Sequence, residues 1–223
     1  MFVWLWIVSL TACQVSPYKP FNYRPYLDHM PASILILPPV NQSMEVMAPY
    51  KYLSTITRPI AEKGYYVFPV AVIDALMKEN GVTTPEDMHQ IPLAKIKQII
   101  NPDAILYVTI KEWGTKYKVL DSQTIIIVYA KLIHTESETV IWQNERQVVK
   151  SSTNNSNSLA EMLIAALINQ VMSNFLDPSI EVARGLNNLL YYNSTDGLLS
   201  GKYHPLFDEN QKKCIESMNS AGY

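Results

Sequence analysis

Apolar positions in the chain alternate between short continuous runs and stretches of helical spacing. Ser33-Ile34-Leu35-Ile36-Leu37 is an unbroken apolar run closed by Pro38-Pro39, the pattern of a strand buried on both faces. Val46, Tyr50, Leu53, Ile56, Ile60 and Ala61 then recur at helical spacing up to Gly64, whose tolerance of positive φ suits a helix end. Pro59 is expected to kink or break that helix. Tyr65–Phe68 reads as a second strand and Val70–Asn80 as a second helix, ended by Gly81. Thr84-Pro85-Glu86-Asp87 carries a hydroxyl cap, Pro in the first turn and acidic residues at the positive end of the helix dipole. Pro92 splits this stretch and leaves Leu93–Ile100 as a helix. After the turn Asn101-Pro102-Asp103, Ala104–Ile110 is a third strand.

Helical crossovers between buried strands imply a largely parallel core. Thr124–His134 and Thr139–Lys150, joined by Thr135-Glu136-Ser137-Glu138, read instead as a hairpin. The expected fold class is therefore α/β, a mixed five-stranded sheet with flanking helices. Ser151–Ser158 is uncharged and low in complexity, an exposed loop by composition. Leu159–Leu176 carries one charge, Glu161, and reads as a core helix or as the face of a homo-oligomer. Its unbroken apolar stretch Met162–Ile168 is too short to span a bilayer. Pro178 opens a helix over Ser179–Tyr192, and the chain after Asp196-Gly197 shows no periodicity. The expected organisation is an α/β domain over 33–176, then a C-terminal helix and irregular tail over 177–223.

The amino terminus changes the picture from a plain globule to an anchored one. Phe2–Leu10 is apolar except for Ser9. A helix of the first twelve residues would be about 18 Å long, too short for a hydrocarbon core of about 30 Å but of signal-peptide size. Leu10-Thr11-Ala12-Cys13 follows and resembles the bacterial lipobox, in which small residues precede a cysteine that is diacylated and becomes the mature amino terminus. Residues 1–12 are thus expected to be a lipoprotein signal peptide, and Cys13 the lipidation site. No Lys or Arg precedes Lys19, which departs from the usual positive leader and places the start codon upstream or leaves the charge to the free amino group. Gln14 stands where many inner-membrane lipoproteins carry Asp, so the outer membrane is the expected address. Pro17, Pro20, Pro25 and Pro31, interleaved with Tyr18, Phe21, Tyr23 and Tyr26, make 13–32 a lipid-bearing linker with partial docking on the domain. Fully extended, the eighteen residues Gln14–Pro31 would reach roughly 55 Å.

Composition narrows the function by exclusion. With 18 basic and 20 acidic residues and a formal charge of −2, the chain lacks the basic excess of a nucleic-acid binder. Two cysteines cannot make a disulfide framework, and an acylated Cys13 leaves Cys214 as a lone thiol or a site for an intermolecular disulfide. His29, His89, His134 and His204 form no metal-spaced motif. His134-Thr135-Glu136 lacks the downstream cysteines of a zinc deaminase and is better explained as a hairpin end. Gly197–Lys202 has one residue too few for a phosphate loop and lacks the hydroxyl residue after Lys202. Asp74, Glu79, Glu86 and Asp87 fall on predicted helices, where solvated faces explain them. Fourteen tyrosines favour binding weakly. No cofactor and no catalytic residue is expected.

Ser33–Asn41, Gly64–Val70, Asp103–Ile110, Val140-Ile141-Trp142 and Gly201-Lys202-Tyr203-His204-Pro205 together resemble a bacterial lipoprotein family of unknown function, typified by a meningococcal surface-antigen candidate. The resemblance runs over nearly the whole chain after the linker. It implies a fold like the TolB amino-terminal domain and the periplasmic domain of the curli secretion lipoprotein. It also implies a non-enzymatic role beside other envelope proteins, and only Cys13 is carried over as a functional residue. The expected reading is a periplasm-facing outer-membrane lipoprotein, bound to the membrane through acyl chains on Cys13, that acts as an interaction module in envelope assembly, transport or secretion. The alternatives are an envelope small-ligand binder or hydrolase whose site forms only in three dimensions, and exposure on the outer leaflet.

Overall fold

The structure, a computed structural model, describes residues 21–118, 121–151 and 178–220. Cys13 and the expected helix Leu159–Leu176 lie outside the described residues. The strands are β1 (Ser33–Ile36), β2 (Val40–Asn41), β3 (Tyr66–Val67), β4 (Ala104–Lys118), β5 (Asp121–His134) and β6 (Val140–Ser151). The described helices are α1 (Arg24–Leu27), α2 (Ala48–Glu62), α3 (Val70–Glu79), α4 (Pro85–Met88), α5 (Leu93–Ile99), α6 (Pro178–Tyr191) and α7 (Phe207–Ser220).

The sheet runs β3-β1-β4-β5-β6, parallel among β3, β1 and β4 and antiparallel from β4 to β6. The mixed α/β class is as expected, but the sheet has six strands rather than five. The extra one, β2, is β1 resumed. Pro38 and Pro39 have no N–H to give the ladder, yet the chain stays beside β4. Leu37 N–H donates to Leu106 O at 3.3 Å before the prolines, and Gln42 N–H donates to Ile110 O at 2.8 Å after them. Strand β4 also outruns its apolar reading by eight residues, because its register against β5 shifts between Ile110 and Glu112. The shift is a bulge at Lys111 that resets the alternation. Trp113, rather than Glu112, then shares Ile110's buried side and meets the Tyr52 ring edge-on, with centroids 6.5 Å apart.

Two apolar clusters lie on opposite faces of the sheet. Ile34, Ile36, Leu106, Val128 and Leu132 pack with Tyr52 and Ile56 of α2 and with Val182 and Leu186 of α6. Leu35, Leu37 and Ile105 pack with Ile73, Met77, Met88 and Ile96 of α3–α5. Residues 34–37 are fully buried, as a continuous apolar run requires. Helix α2 runs through Pro59 without a break.

At the ends, the expected partial docking takes a specific form and the irregular tail is corrected. The Pro/Tyr-rich segment contains a short helix, α1, with Pro in its first turn, where the missing N–H costs nothing. Its Tyr26 is fully buried in the main cluster, so the packed region starts well before Ser33. The segment read as an irregular tail contains α7, a fourteen-residue helix. Only Gln211 and Met218 of that helix are buried, so its apolar stripe is too thin to show as periodicity.

Candidate interaction surface

The carboxyl ends of β1 and β2 feed the loop Gln42–Met47, which side chains hold in one shape. Asn41 Oδ1 accepts from the Ser43 backbone N–H at 3.1 Å and from the Ser43 hydroxyl at 2.7 Å, while Asn41 Nδ2 donates to Glu45 O at 2.9 Å. Glu45 N–H donates to Ser43 Oγ at 3.3 Å, and the Glu45 carboxylate accepts from Met47 N–H at 3.1 Å and pairs with Lys51 at 3.5 Å. This small network presents Met44 at 98% and Val46 at 80% exposure, with Met47 and Tyr50 about half exposed beside them. The helical reading had put Val46 and Tyr50 on a core-facing stripe. Helix α2 instead starts at Ala48, which leaves Val46 outside it.

Behind the loop is a cleft of about 310 Å³ between α2 and α3, lined by Asn41, Tyr50, Asp74, Lys78 and Glu86 among others. Lys78 Nζ donates to Asp74 Oδ2 at 2.6 Å and to Tyr50 Oη at 3.5 Å. The bond to Asp74 is the largest cause holding the ammonium above its ordinary pKa, so it stays charged. The cleft thus combines an ion pair with the exposed side chains of Val46 and Tyr50 at its rim.

The other side chains singled out in the sequence serve the fold or gather elsewhere. Asp87 closes the α4 cap, its N–H donating to Thr84 Oγ1 at 3.2 Å. Asp74 and Glu86 share the cleft, but the Asp74 carboxylate is engaged by Lys78. His204 Nδ1 accepts from Leu206 N–H at 3.1 Å in the turn before α7. His89 contacts Pro38 O at 2.9 Å. His29 and His134, distant in sequence, come together with ring centroids 4.4 Å apart. Cys214 is half-buried at the edge of the main cluster, and burial raises its thiol pKa. Among the described residues no three metal-ligating side chains form a cluster, and no helix is long and apolar enough to cross a membrane.

The phosphate-loop-like stretch has a structural job. Gly201 N–H donates to Lys63 O at 2.7 Å and Tyr203 N–H to Gly64 O at 2.9 Å, which stitches the segment onto the end of α2. Three tyrosines hold the other side. Tyr23 donates to Gly197 O at 2.6 Å, Tyr65 donates to Leu199 O at 2.7 Å, and the Tyr26 and Tyr65 hydroxyls lie 2.5 Å apart. Burial raises the pKa of both Tyr26 and Tyr65, so these phenols stay neutral donors.

Comparison with known proteins places this architecture. The family model described as "Putative lipoprotein GNA1162-like" matches residues 21–203. The chain belongs to this GNA1162-like family. It is 36% identical over 208 residues to "Putative lipoprotein NMB1124/NMB1162" of Neisseria meningitidis serogroup B, covering 93% of this chain and 95% of that one. The crystal structure of lipoprotein GNA1162 from Neisseria meningitidis is 38% identical, covers 63% of this chain and 97% of its own, and superposes with a TM-score of 0.55. Gly64-Tyr65 and Gly201–His204, two of the segments that carried the family resemblance, are the ones stitched together in space. A loop over Val40–Glu45 is expected from sequence; its fixed shape was missed, although Asn41-x-Ser43-x-Glu45 is a run of side chains able to bond their own backbone and therefore to fix a turn.

Proposed function

We propose that this GNA1162-like protein is an outer-membrane lipoprotein, acylated on Cys13 and facing the periplasm, whose folded domain is a non-catalytic docking module for another envelope protein in assembly, transport or secretion. Family membership supports the lipoprotein part. The observation that carries the docking part is the Gln42–Met47 loop. An internal hydrogen-bond network holds Met44 and Val46 in water, where they contribute nothing to the fold's own core. Leaving apolar side chains rigidly exposed is costly unless a partner covers them, and a loop already fixed in shape loses little entropy on binding.

The paired substitution Met44→Glu and Val46→Glu tests it. Exposed positions tolerate such changes within about 0.5 kcal/mol of stability, so the chemical-denaturation midpoint stays at the native value. Crosslinking in intact cells followed by capture of the lipoprotein is expected to recover envelope proteins with the native chain and to lose at least one with the double variant. An identical set of crosslinked partners for both chains would overturn the assignment of this loop.

A further inference from the structure

A cleft of about 470 Å³ between α7 and the segment Tyr192–Ser200 stands apart in its charge. Lys63 and Lys213 line it, and among the described residues that line it there is no Asp or Glu. The described clefts around Lys78, around Arg58 and Arg184, and beside Lys131 each include a carboxylate. The two lysines are not equivalent. Lys213 is exposed and pairs with Glu209 at 2.5 Å. Lys63 is half-buried, lies 5.0 Å from the centre of the Tyr192 ring, and has no carboxylate partner among the described residues. Glu62, its neighbour in the chain, is engaged elsewhere. One of its oxygens accepts from Arg58 Nε at 2.7 Å and the other from Tyr192 Oη at 3.0 Å. Burial accordingly lowers the Lys63 pKa, with no opposite charge to raise it. A cation drawn out of water without a counter-ion is costly, and an anion that joins it relieves the cost.

The rest of the lining states the class of that anion. Ser194, Asn210 and Ser217 supply hydroxyl and amide groups, while Phe21, Leu198 and Met218 supply an apolar wall. An anion that carries hydroxyl groups at one end and hydrocarbon at the other matches both. We infer that the cleft takes the headgroup of an acidic phospholipid, with a phosphate oxygen on the Lys63 ammonium, the headgroup hydroxyls against the Ser and Asn side chains, and the glyceride end toward Phe21. The setting rests on the reading of Cys13 as the anchor. The tether leaves the folded body at Phe21, in the wall of this cleft, so an acylated Cys13 brings the cleft within reach of lipid. The net charge of −2 gives the chain no general attraction to an acidic membrane, so binding has to come from a local site.

The test is co-sedimentation of the chain from Gln14, which keeps every described residue and carries no acyl group, with lipid vesicles. It is expected to bind vesicles of equal parts phosphatidylglycerol and phosphatidylcholine and to leave pure phosphatidylcholine vesicles unbound. Lys63→Gln is expected to weaken that binding about fivefold, the effect of one lysine at an acidic lipid surface. Lys95→Gln removes the same charge from an exposed position on α5, away from the cleft, and is expected to bind as the parent chain does. Ser217→Asp places a carboxylate in the lining at an exposed position and is expected to weaken binding at least as much as Lys63→Gln, with an unchanged denaturation midpoint. No preference for the acidic vesicles, equal losses in Lys63→Gln and Lys95→Gln, or indifference to Ser217→Asp would overturn the site. Inorganic phosphate is titrated into the same chain by calorimetry. Saturable uptake lost in Lys63→Gln, without binding to vesicles, would overturn lipid as the source of the anion. Failure of the anchor reading shows separately, in the mass of the native protein, and leaves the outcome with this unacylated chain unchanged.

Discussion

His89 shows how one residue couples a gap in the sheet to pH. Its Nε2 lies 2.9 Å from the carbonyl of Pro38, the first of the two prolines that interrupt the ladder, and its ring meets Tyr107 edge-on with centroids 5.1 Å apart. Pro38 O can only accept, so Nε2 carries the proton of the neutral ring and further protonation falls on Nδ1. Burial is the largest influence and lowers the His89 pKa, against smaller opposing effects of the Pro38 bond and Glu86. The same burial raises the neighbouring Tyr107 phenol to about 12. A histidine whose pKa is lower folded than unfolded binds more protons in the unfolded chain, so stability rises with pH between the two values. Its contribution is therefore complete above the unfolded value of about 6.5 and is lost as the pH falls from there toward the folded value. His134, also lowered, acts in the same direction. Denaturation midpoints taken from pH 7.5 down to 5 are expected to fall in the native chain and to fall less in His89→Gln, whose amide can still donate to Pro38 O. Parallel slopes for the two chains would remove His89 from this account.

At the scale of elements, the close approach of Gly64 and Gly201 joins the C-terminal segment to the rest of the fold. A Cβ at Gly201 would lie 2.6 Å from Gly64 O and 2.7 Å from Tyr65 Cδ1, a backbone atom and a ring already held by its hydroxyl. Neither can give way without breaking the stitch. Gly201→Ala is expected to destabilise the protein by about 1–3 kcal/mol, the range for overpacking a tight site, as read from the denaturation midpoint. Gly185→Ala, in helix α6 with open space around it, is the matched control and is expected to be neutral or mildly stabilising. This level of structure was only partly legible in sequence. Continuous runs such as Ile34–Leu37 and the β5–β6 hairpin announce themselves because burial on both faces, or alternation between them, is written in residue type. Strand β2 does not, because two prolines hide the continuity of its backbone with β1. Helix α7 does not either, since two buried residues make no period. The packed α1 was obscured by proline, which bars a helix interior but is welcome in a first turn.

At the scale of the molecule, docking of α1 changes the geometry of anchoring. If fully extended, the stretch Gln14–Pro31 could hold the domain some 55 Å away. Tyr23 and Tyr26 are bonded or packed into the body instead, and Phe21 packs against the main cluster. Only eight residue-to-residue steps separate Cys13 from Phe21, and at no more than about 3.6 Å per step they span at most about 29 Å. An acylated Cys13 would therefore keep the Phe21 side of the domain close to its own membrane, and partners would have to come within that reach. The interleaved aromatics pointed to partial docking, but composition could not show where the docked part begins, because proline and tyrosine serve an extended tether and a docked segment equally well. In the same way the meeting of His29 with His134 is a product of topology that no local pattern encodes. The anchoring itself is tested by Cys13→Ser. Each buried methylene contributes about 0.8 kcal/mol and two or more chains hold stably, so the native protein is expected in the membrane fraction and the variant in the soluble one, with an unchanged denaturation midpoint for the folded domain. The mass of the native protein should show the first twelve residues replaced by acyl groups. A Cys13→Ser chain that still sediments with membranes, or a native chain of unprocessed mass, would remove the lipid anchor and with it the 29 Å limit on reach.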